Sequence, residues 1–406
     1  MLTPKIAFRN IFRQRRRSLL TGLSMTGGFM LFAFTISISE GSYSNIIEIF
    51  TLDNTGHIQI HKDDYAARPK IYKSIRDRSI LEDHLSGDSQ VKSFSPRVFS
   101  TALAYAGNKT SISRVVGIDI EQEVAVTRIR EKVSKGTYFS NPSNDDVYVK
   151  AMIGQGLSAS LDLDIGDDFV LISSGADGSI ANDIFTVSAI IGNRQSLDRM
   201  TVYLPLGPAQ EFLSLGTDVH QYTLLVDTPR HNEAIANRLQ SELPELTVSP
   251  WQVVEETFYR TMQIDKESQK VTMQFAIFMV FIGVLNTVLM SVMERTREFG
   301  VLRSIGCRPV ELVKMIVFET LLLTSLSIAI GAVLVTPAIY WFQEVGLALP
   351  APIDLGGVSF EYFRGELSPL VYIQPAIFML TVAVVISILP AIRAARISPK
   401  SAMEVY

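Results

Sequence analysis

Four long runs without any charged residue constrain this chain more than any other feature of its sequence. They cover residues 18–39, 271–293, 320–343 and 367–392, which are 22, 23, 24 and 26 residues long. A helix needs about 20 apolar residues to cross the hydrocarbon core of a bilayer. A buried core helix could account for one such run, but it does not account for four that are each bounded by charges. The sequence therefore predicts an α-helical integral membrane protein with four transmembrane helices.

Basic residues flank these runs unevenly. Six precede the first run, namely Lys5, Arg9, Arg13, Arg15, Arg16 and Arg17. Five lie between the second and third runs (Arg295, Arg297, Arg303, Arg308 and Lys314), and three follow the fourth (Arg393, Arg396 and Lys400). The loop between the third and fourth runs has only Arg364. Because basic loops stay in the cytoplasm, both termini and the loop 293–314 are expected there, with 40–270 and 344–366 outside.

A cleaved signal peptide is the alternative explanation for the first run, because a basic segment precedes it. The run is longer than a typical signal-peptide core, and no clear A-x-A cleavage site follows it. We therefore expect residues 1–40 to form a cytoplasmic N-terminal segment and a first transmembrane helix.

The segment between the first two runs is predicted to be a large α+β extracytoplasmic domain, residues 41–265. Its strand-like and helix-like stretches favour an α/β part, about 41–106 and 219–262, with a β-rich insert at about 107–218. The stretch WQVVEETFYRTMQIDKESQK is typical of a helix that continues into the second apolar run. Residues 266–406 would then hold transmembrane helices two to four.

Motifs of enzymes that act on nucleotides or bind metals are missing. The sequence contains no G-x-x-x-x-G-K-S/T, no H-E-x-x-H and no paired C-x-x-C. His57 and His61, followed by Asp63 and Asp64, are the one candidate metal cluster. On a strand the two histidines would lie about 13 Å apart, too far for one ion, so we expect solvated strand residues. We predict no enzyme active site, no directly bound cofactor or metal and no nucleic-acid partner.

Glu319 is the main acidic residue at the edge of an apolar run. Acidic residues in transmembrane segments are functional candidates by default. Because Glu319 lies near the predicted cytoplasmic end, we expect it to snorkel or to pair with an arginine of the preceding loop rather than to relay protons.

The stretch MERTREFGVLRSIGCRPVELVKM, residues 293–315, predicts a short amphipathic helix at about 293–306. Phe299, Leu302 and Ile305 recur on one helical face. Gly306 is a natural end for this helix, and Pro309 follows where a new helix can begin. A membrane-surface helix is the alternative, but its polar face would be mainly basic, whereas these charges are mixed in sign. The pattern favours a helix that docks into a groove of another protein.

Several stretches resemble a known family. The stretch ERTREFGVLRSIGCRPVELVKMIVFE and the C-terminal LPAIRAARISPKSAMEV resemble the signature of FtsX-like permeases of ABC transporters. The stretches IGQGLSASLDLDIGDDFVLIS and GHIQIHKDDY are similar to the lipoprotein-releasing (LolC/LolE) branch. The resemblance implies mechanotransmission: two permease chains, identical or paralogous, pair with two ATPase subunits that bind ATP and Mg²⁺. Cargo would be handled on the outer face of the inner membrane.

The resemblance also implies two sets of site residues. The helix that couples to the ATPase would use Glu294, Arg295, Arg297, Glu298, Phe299, Leu302 and Arg303. A cleft for acyl chains, between helix one of one permease chain and helix two of the other, would use Met25, Phe29, Met30, Phe32, Phe34, Met273 and Ile277. Ordinary packing or lipid contact is the alternative for the second set. Gly22 and Thr26 form a small-xxx-small pair, as do Ser24 and Gly28, and such pairs permit close helix approach.

Three functions remain open at this point. The first is extraction of lipoproteins from the outer leaflet, with membrane lipids and a periplasmic carrier as further partners. The second is efflux of peptides or drugs through an adaptor. The third is a scaffold that activates an external hydrolase.

Overall fold

A computed structural model describes residues 15–76, 78–139, 148–355 and 358–396 of the chain. They divide into two compact units. The unit called here the helical unit contains Met1–Asn45, Gln263–Pro350 and Tyr362–Tyr406. The unit called here the sheet unit contains Ile46–Met262 and Ala351–Glu361.

Helices and strands alternate along much of the chain. The α-helices are α1 (Arg15–Phe50), α2 (Arg78–Gly87), α3 (Ile120–Val126), α4 (Gln155–Leu161), α5 (Leu206–Phe212), α6 (Asn232–Glu242), α7 (Trp251–Val254), α8 (Glu256–Glu294), α9 (Thr296–Ser304), α10 (Pro309–Glu344) and α11 (Pro369–Arg396). The strands are β1 (Ile58–His61), β2 (Val91–Ala106), β3 (Lys109–Ile118), β4 (Val133–Gly136), β5 (Val149–Gly154), β6 (Asp168–Ser174), β7 (Ile180–Ile191), β8 (Thr201–Pro205), β9 (Gln221–Val226), β10 (Thr247–Pro250), β11 (Leu347–Leu355) and β12 (Val358–Phe363). A π-helical segment, Thr51–Thr55, follows α1, and short 3-10 helices cover Leu197–Met200 and Pro229–His231.

Three helices of the described chain are long and apolar enough to cross a membrane. They are Leu19–Asp53, Pro309–Glu344 and Pro369–Arg396. The second apolar run of the sequence, 271–293, lies inside α8. The structure thus supports three spans, and the fourth stays a prediction.

Small residues let α1 approach α10 closely. The ring of Phe29 is fully buried, and a Cβ placed on Gly331 would lie 2.8 Å from its Cδ1 atom. Thr26 Oγ1 donates to the backbone carbonyl of Ser327 at 3.3 Å. The Gly22 and Thr26 pair therefore lies at a helix contact, where a missing side chain shortens the distance between backbones.

Ten strands of the sheet unit belong to one sheet, in the order β10-β1-β9-β2-β3-β8-β5-β7-β4. The tenth strand, β6, pairs with both β2 and β7. As a result β2, β3, β8, β5, β7 and β6 form a closed ring. Buried side chains of these strands share one core, including Ala104, Leu171, Phe185 and Val202.

Three of the remaining four strands, β10, β1 and β9, extend this sheet and carry helices on one face, while β4 pairs with β7. Ile58 and Ile60 of β1 join the same core as Leu85 of α2 and Leu239 of α6. Because side chains alternate along a strand, Gln59 and His61 lie on the opposite face.

The expectation that His57 and His61 are solvated is wrong. They are only 7% and 2% exposed. The ring of Tyr65 stacks with the rings of both His61 and His220, with centroid distances of 5.8 and 5.0 Å. The loop after β1 thus covers the second face of the sheet. Among the described residues, no group of three or more His, Cys, Asp or Glu is placed to hold a metal ion.

Candidate functional site

An apolar cavity of about 280 Å³ lies within the helical unit. Helices α1, α8, α10 and α11 all contribute to its wall. The lining residues are Met25, Gly28, Leu31, Phe32, Thr35, Gln269, Thr272, Met273, Thr324, Phe378, Met379, Val382 and Ala383. Hydrocarbon and thioether groups dominate this set, so the cavity suits a flexible apolar ligand.

The hydroxyl groups of this wall, and the amide oxygen of Gln269, are satisfied within the protein. Thr35, Thr272 and Thr324 each donate to the carbonyl one helical turn earlier, at 2.8, 3.2 and 2.8 Å. Gln269 accepts a hydrogen bond from Ser39 Oγ at 2.5 Å. A ligand therefore meets little unsatisfied hydrogen-bonding capacity here.

Within a single chain, the structure brings together three of the seven residues that were proposed for a cleft between two chains. Met25, Phe32 and Met273 line the cavity. Phe29 is buried in the contact with α10, and the ring of Phe34 packs edge-on against Phe342 at 5.4 Å.

Two of the seven remain. Met30 is partly buried against the helical core and does not line the cavity. The side chain of Ile277 lies outside the described residues.

Sequence reasoning missed the contribution of α11. Phe378, Met379, Val382 and Ala383 line the cavity from that helix, and Phe378 packs edge-on against Phe32 at 5.8 Å. On α1 itself a signal was available, because positions 25, 28, 32 and 35 recur at spacings of three and four and therefore share one face.

The second candidate site is α9, at the loop between α8 and α10. The helix ends as its sequence predicts: Gly306 adopts a φ of +99°, and the N–H of Cys307 donates to Leu302 at 3.0 Å. This bond spans six residues and is typical of a glycine-terminated helix. Pro309 then begins α10, and Glu311 accepts from the N–H of Arg308 at 3.2 Å.

Arg295 anchors α9 to its neighbours. Its Nη1 atom donates to both carboxylate oxygens of Glu319 at 2.9 Å, and its Nε donates to Glu298 at 3.2 Å. The expected pairing of Glu319 with an arginine of the preceding loop is confirmed. Phe299 is 1% exposed and packs in a cluster with residues of α10 and α11, so it attaches α9 to both helices.

Leu302 and Ile305 were predicted to share one apolar face with Phe299, but unlike Phe299 they are exposed. Val301, Leu302 and Ile305 are exposed, and Ile305 is 79% exposed. Arg297 and Glu298 are exposed beside them, as is Glu294 at the end of α8, and Arg303 is half-buried with its Nη1 donating to Cys307 at 3.1 Å. Of the residues proposed for coupling, Arg295 and Phe299 thus face inward, and the others are at least partly accessible to a partner.

Comparisons with known proteins match almost the whole chain. Residues 18–242 match the MacB-like periplasmic core domain, and residues 271–399 match the FtsX-like permease C-terminal region. The lipoprotein-releasing system transmembrane protein LolE of Haemophilus influenzae is 22% identical over 336 residues, with 80% of each chain covered.

Export proteins are similar as well. The macrolide export ATP-binding/permease protein MacB 2 of Yersinia pestis is 24% identical over 98% of this chain, which spans 57% of that relative's length. The solved periplasmic region of MacB from Actinobacillus actinomycetemcomitans aligns with 53% of this chain and 98% of its own, at 14% identity and a TM-score of 0.37.

The two matched regions follow one another along the chain and are separated by residues 243–270. They include α1 and most of the sheet unit in the first region, and α10, α11 and the anchored helix α9 in the second. This chain therefore belongs to the FtsX-like permeases of ABC transporters that carry a MacB-like periplasmic core domain.

Proposed function

We propose that this permease extracts acylated proteins from the outer leaflet of an inner membrane. The observation that supports the proposal is the cavity between α1, α8, α10 and α11. Its wall is hydrocarbon, and its few hydroxyl groups are already bonded to their own helices. An acyl chain needs no hydrogen-bond partner, whereas a polar ligand would leave its own groups unpaired in such a cavity.

The energy would come from partner subunits. Two ATPases, which bind ATP and Mg²⁺, would dock on the exposed face of α9 in two permease chains, identical or paralogous. Because Arg295 and Phe299 hold α9 against α10 and α11, a movement of the ATPase would reach the helices of the cavity. Both termini and α9 would lie in the cytoplasm, as the basic residues around the apolar runs favour.

The relationship to LolE supports this choice of cargo, because that relative belongs to a lipoprotein-releasing system by name. The sheet unit would then act outside the membrane and pass the released protein to a periplasmic carrier.

Export of a small apolar compound is the second candidate. The match to MacB 2 of Yersinia pestis extends along 98% of this chain, and that relative is named for macrolide export. In this case the same cavity would hold a drug-sized or peptide-like molecule, without an acyl anchor.

Site-specific photo-crosslinking separates the two candidates. A photoreactive phenylalanine analogue placed at Phe32 or Met273 reports on the cavity, and the same analogue at Val333, which is 73% exposed on α10, is the matched control. The permease is purified with its ATPase, irradiated, and the adducts are identified by mass spectrometry.

We expect an acylated protein crosslinked at positions 32 and 273 and absent at 333. Adducts with a small compound, or equal labelling by bulk lipid at all three positions, would contradict lipoprotein extraction.

A further inference from the structure

A second cavity, of about 510 Å³, lies within the sheet unit and has both polar and apolar walls. Its floor is the face of the sheet opposite α2 and α6. In the strand register His61 of β1 lies opposite Gln221 of β9, which in turn lies opposite Arg97 of β2. All three side chains line the cavity and are at most 5% exposed, so this floor is built into the fold.

The floor is electrically neutral and largely satisfied. Arg97 forms a buried ion pair with Glu123 of α3 at 2.6 Å. His61 Nε2 lies 3.2 Å from Gln221 Oε1, and the amide of Gln59 donates to the carbonyl of Thr55 at 2.8 Å. Among these buried groups, Nδ1 of His61 has no hydrogen-bond partner in the part of the chain that the structure describes.

The walls differ, because they carry opposite charges that do not pair. Arg114 of β3 and Glu255 both line the cavity. The guanidinium of Arg114 lies over the ring of Phe99, 4.8 Å from its centroid. Neither side chain forms an ion pair or an ordinary hydrogen bond with any residue that the structure describes. Lys70 adds a second cation to the lining.

Glu255 also occupies a distinct position in the chain. It is the single residue between α7 and the long helix α8. It is half-buried, and burial raises the pKa of its carboxyl, a shift that the positive charge of Arg114 opposes. A half-buried carboxylate without a donor is costly and gains free energy from a cationic ligand.

We propose that this cavity binds a small zwitterion, a short peptide with free termini, whose ammonium group contacts Glu255 and whose carboxylate contacts Arg114. The volume is within the range of small-molecule sites, and the rings of Tyr65 and Phe99 provide apolar wall for the rest of the ligand. This site is separate from the cargo proposed above and does not depend on it.

Calorimetric titration of the full-length chain in detergent with tri-alanine tests the proposal. Glu255→Gln and Arg114→Gln each remove one charge, and Glu256→Gln and Lys109→Gln are matched controls at exposed neighbouring positions. We expect each cavity variant to weaken tri-alanine binding by about tenfold or more, because it removes one charge-assisted contact. Binding to the two control variants should match the wild type.

Blocked peptides give an independent readout that does not depend on how well a variant folds. N-acetyl-tri-alanine, which lacks the ammonium group, should bind the wild type about tenfold or more weakly than tri-alanine does. No saturable binding of tri-alanine at millimolar concentration, or binding unchanged in both cavity variants, would overturn the proposal. Equal affinity for the acetylated peptide would also overturn it, since it indicates a site for carboxylates alone.

Discussion

Arg295 holds Glu319 by two hydrogen bonds from one nitrogen, Nη1, to both carboxylate oxygens at 2.9 Å. The guanidinium side chain is 8% exposed and the carboxylate side chain 21% exposed. The pair ties the start of α9 to α10, and Phe299 packs one turn further along. Arg295 and Phe299 thus attach α9 to its neighbours, whereas Leu302 and Ile305 are exposed and accessible to a partner.

Neutralising Glu319 should destabilise the protein, because Arg295 would remain charged and largely buried without its main partner. We expect Glu319→Gln to lower the free energy of unfolding by about 3 kcal/mol. Denaturant unfolding in detergent measures the change. Glu267→Gln, which breaks the exposed pair with Lys270, is the control and should cost less than about 1 kcal/mol. Equal stability of Glu319→Gln and the wild type would show that the pair does not anchor α9.

Charged substitutions at these exposed residues of α9 should uncouple the ATPase without affecting the fold. We expect Leu302→Glu and Ile305→Glu to reduce permease-stimulated ATP hydrolysis by about tenfold or more, since a buried charge at an interface costs several kcal/mol. Their unfolding should match the wild type, because Ile305 in particular is 79% exposed. Ile180→Glu, at a position equally exposed in the sheet unit, is the control.

Unlike the two charged substitutions, Phe299→Ala should lower the stability of the protein itself. This change removes a fully buried ring and should lower the free energy of unfolding by about 3 to 5 kcal/mol. A loss of ATPase stimulation in this variant would therefore reflect unfolding as well as coupling. If Leu302→Glu and Ile305→Glu left ATP hydrolysis fully stimulated, the docking role of α9 would be rejected.

The sheet unit should lose stability below about pH 6.5. Burial lowers the pKa values of His57 and His220 and lowers that of His61 to about 4. His220 Nδ1 accepts the N–H of Phe99 at 2.9 Å, so a proton on this atom would break the bond. As the pH falls, the unfolded chain takes up protons before the folded one, so stability is complete above the unfolded pKa and decreases below it.

Unfolding of His61→Gln at several pH values tests this relation. One such histidine contributes a slope of up to about 1.4 kcal/mol per pH unit between its unfolded and folded pKa values. We expect the variant to flatten the pH dependence by roughly that amount. Ser241→Ala, at an exposed position of α6 without a titratable group, is the control and should leave the slope at that of the wild type. An unchanged slope in His61→Gln would contradict the prediction that buried His61 contributes to the pH dependence of stability.

Enlarging Gly331 should separate α1 from α10. A Cβ at this position would lie 2.8 Å from the ring of Phe29, whereas a Cβ on Gly27 meets no atom within 4 Å. We expect Gly331→Val to lower the free energy of unfolding by about 1 to 3 kcal/mol through overpacking, and Gly27→Ala to have little effect. Thermal unfolding of both variants in detergent provides the comparison, and similar midpoints would mean that the contact is loose.

The helices that cross the membrane were predictable because composition alone marks them. Residues 18–39 lie in α1, 320–343 in α10 and most of 367–392 in α11. The end of α9 was also predictable from the local sequence, because Gly306 and Pro309 determine it by their own backbone chemistry.

The cavity was harder to predict, because it depends on contacts between helices far apart in the chain. Phe378 lies more than 300 residues after Phe32, and no local pattern connects the two. Phe29 and Met30 are as apolar as Met25, so composition could not determine which of them face the cavity and which pack against a neighbour.

The polar row of His61, Gln221 and Arg97 was hidden for a different reason. Alternation along β1 separates the two faces of the strand, but it does not reveal that the loop with Tyr65 covers the second face. The ion pair between Arg97 and Glu123 depends on residues of β2 and α3, brought together only by the fold.

The closed ring of β2, β3, β8, β5, β7 and β6 has a mechanical consequence. Each of its strands is hydrogen-bonded on both sides to another member, so none of them can be peeled away alone. A force applied to one strand is shared by its neighbours around the ring. Hydrogen bonds between several pairs of strands must therefore break together before the strand separates. A force that arrives at the ring will displace it as one solid body, with its internal register intact.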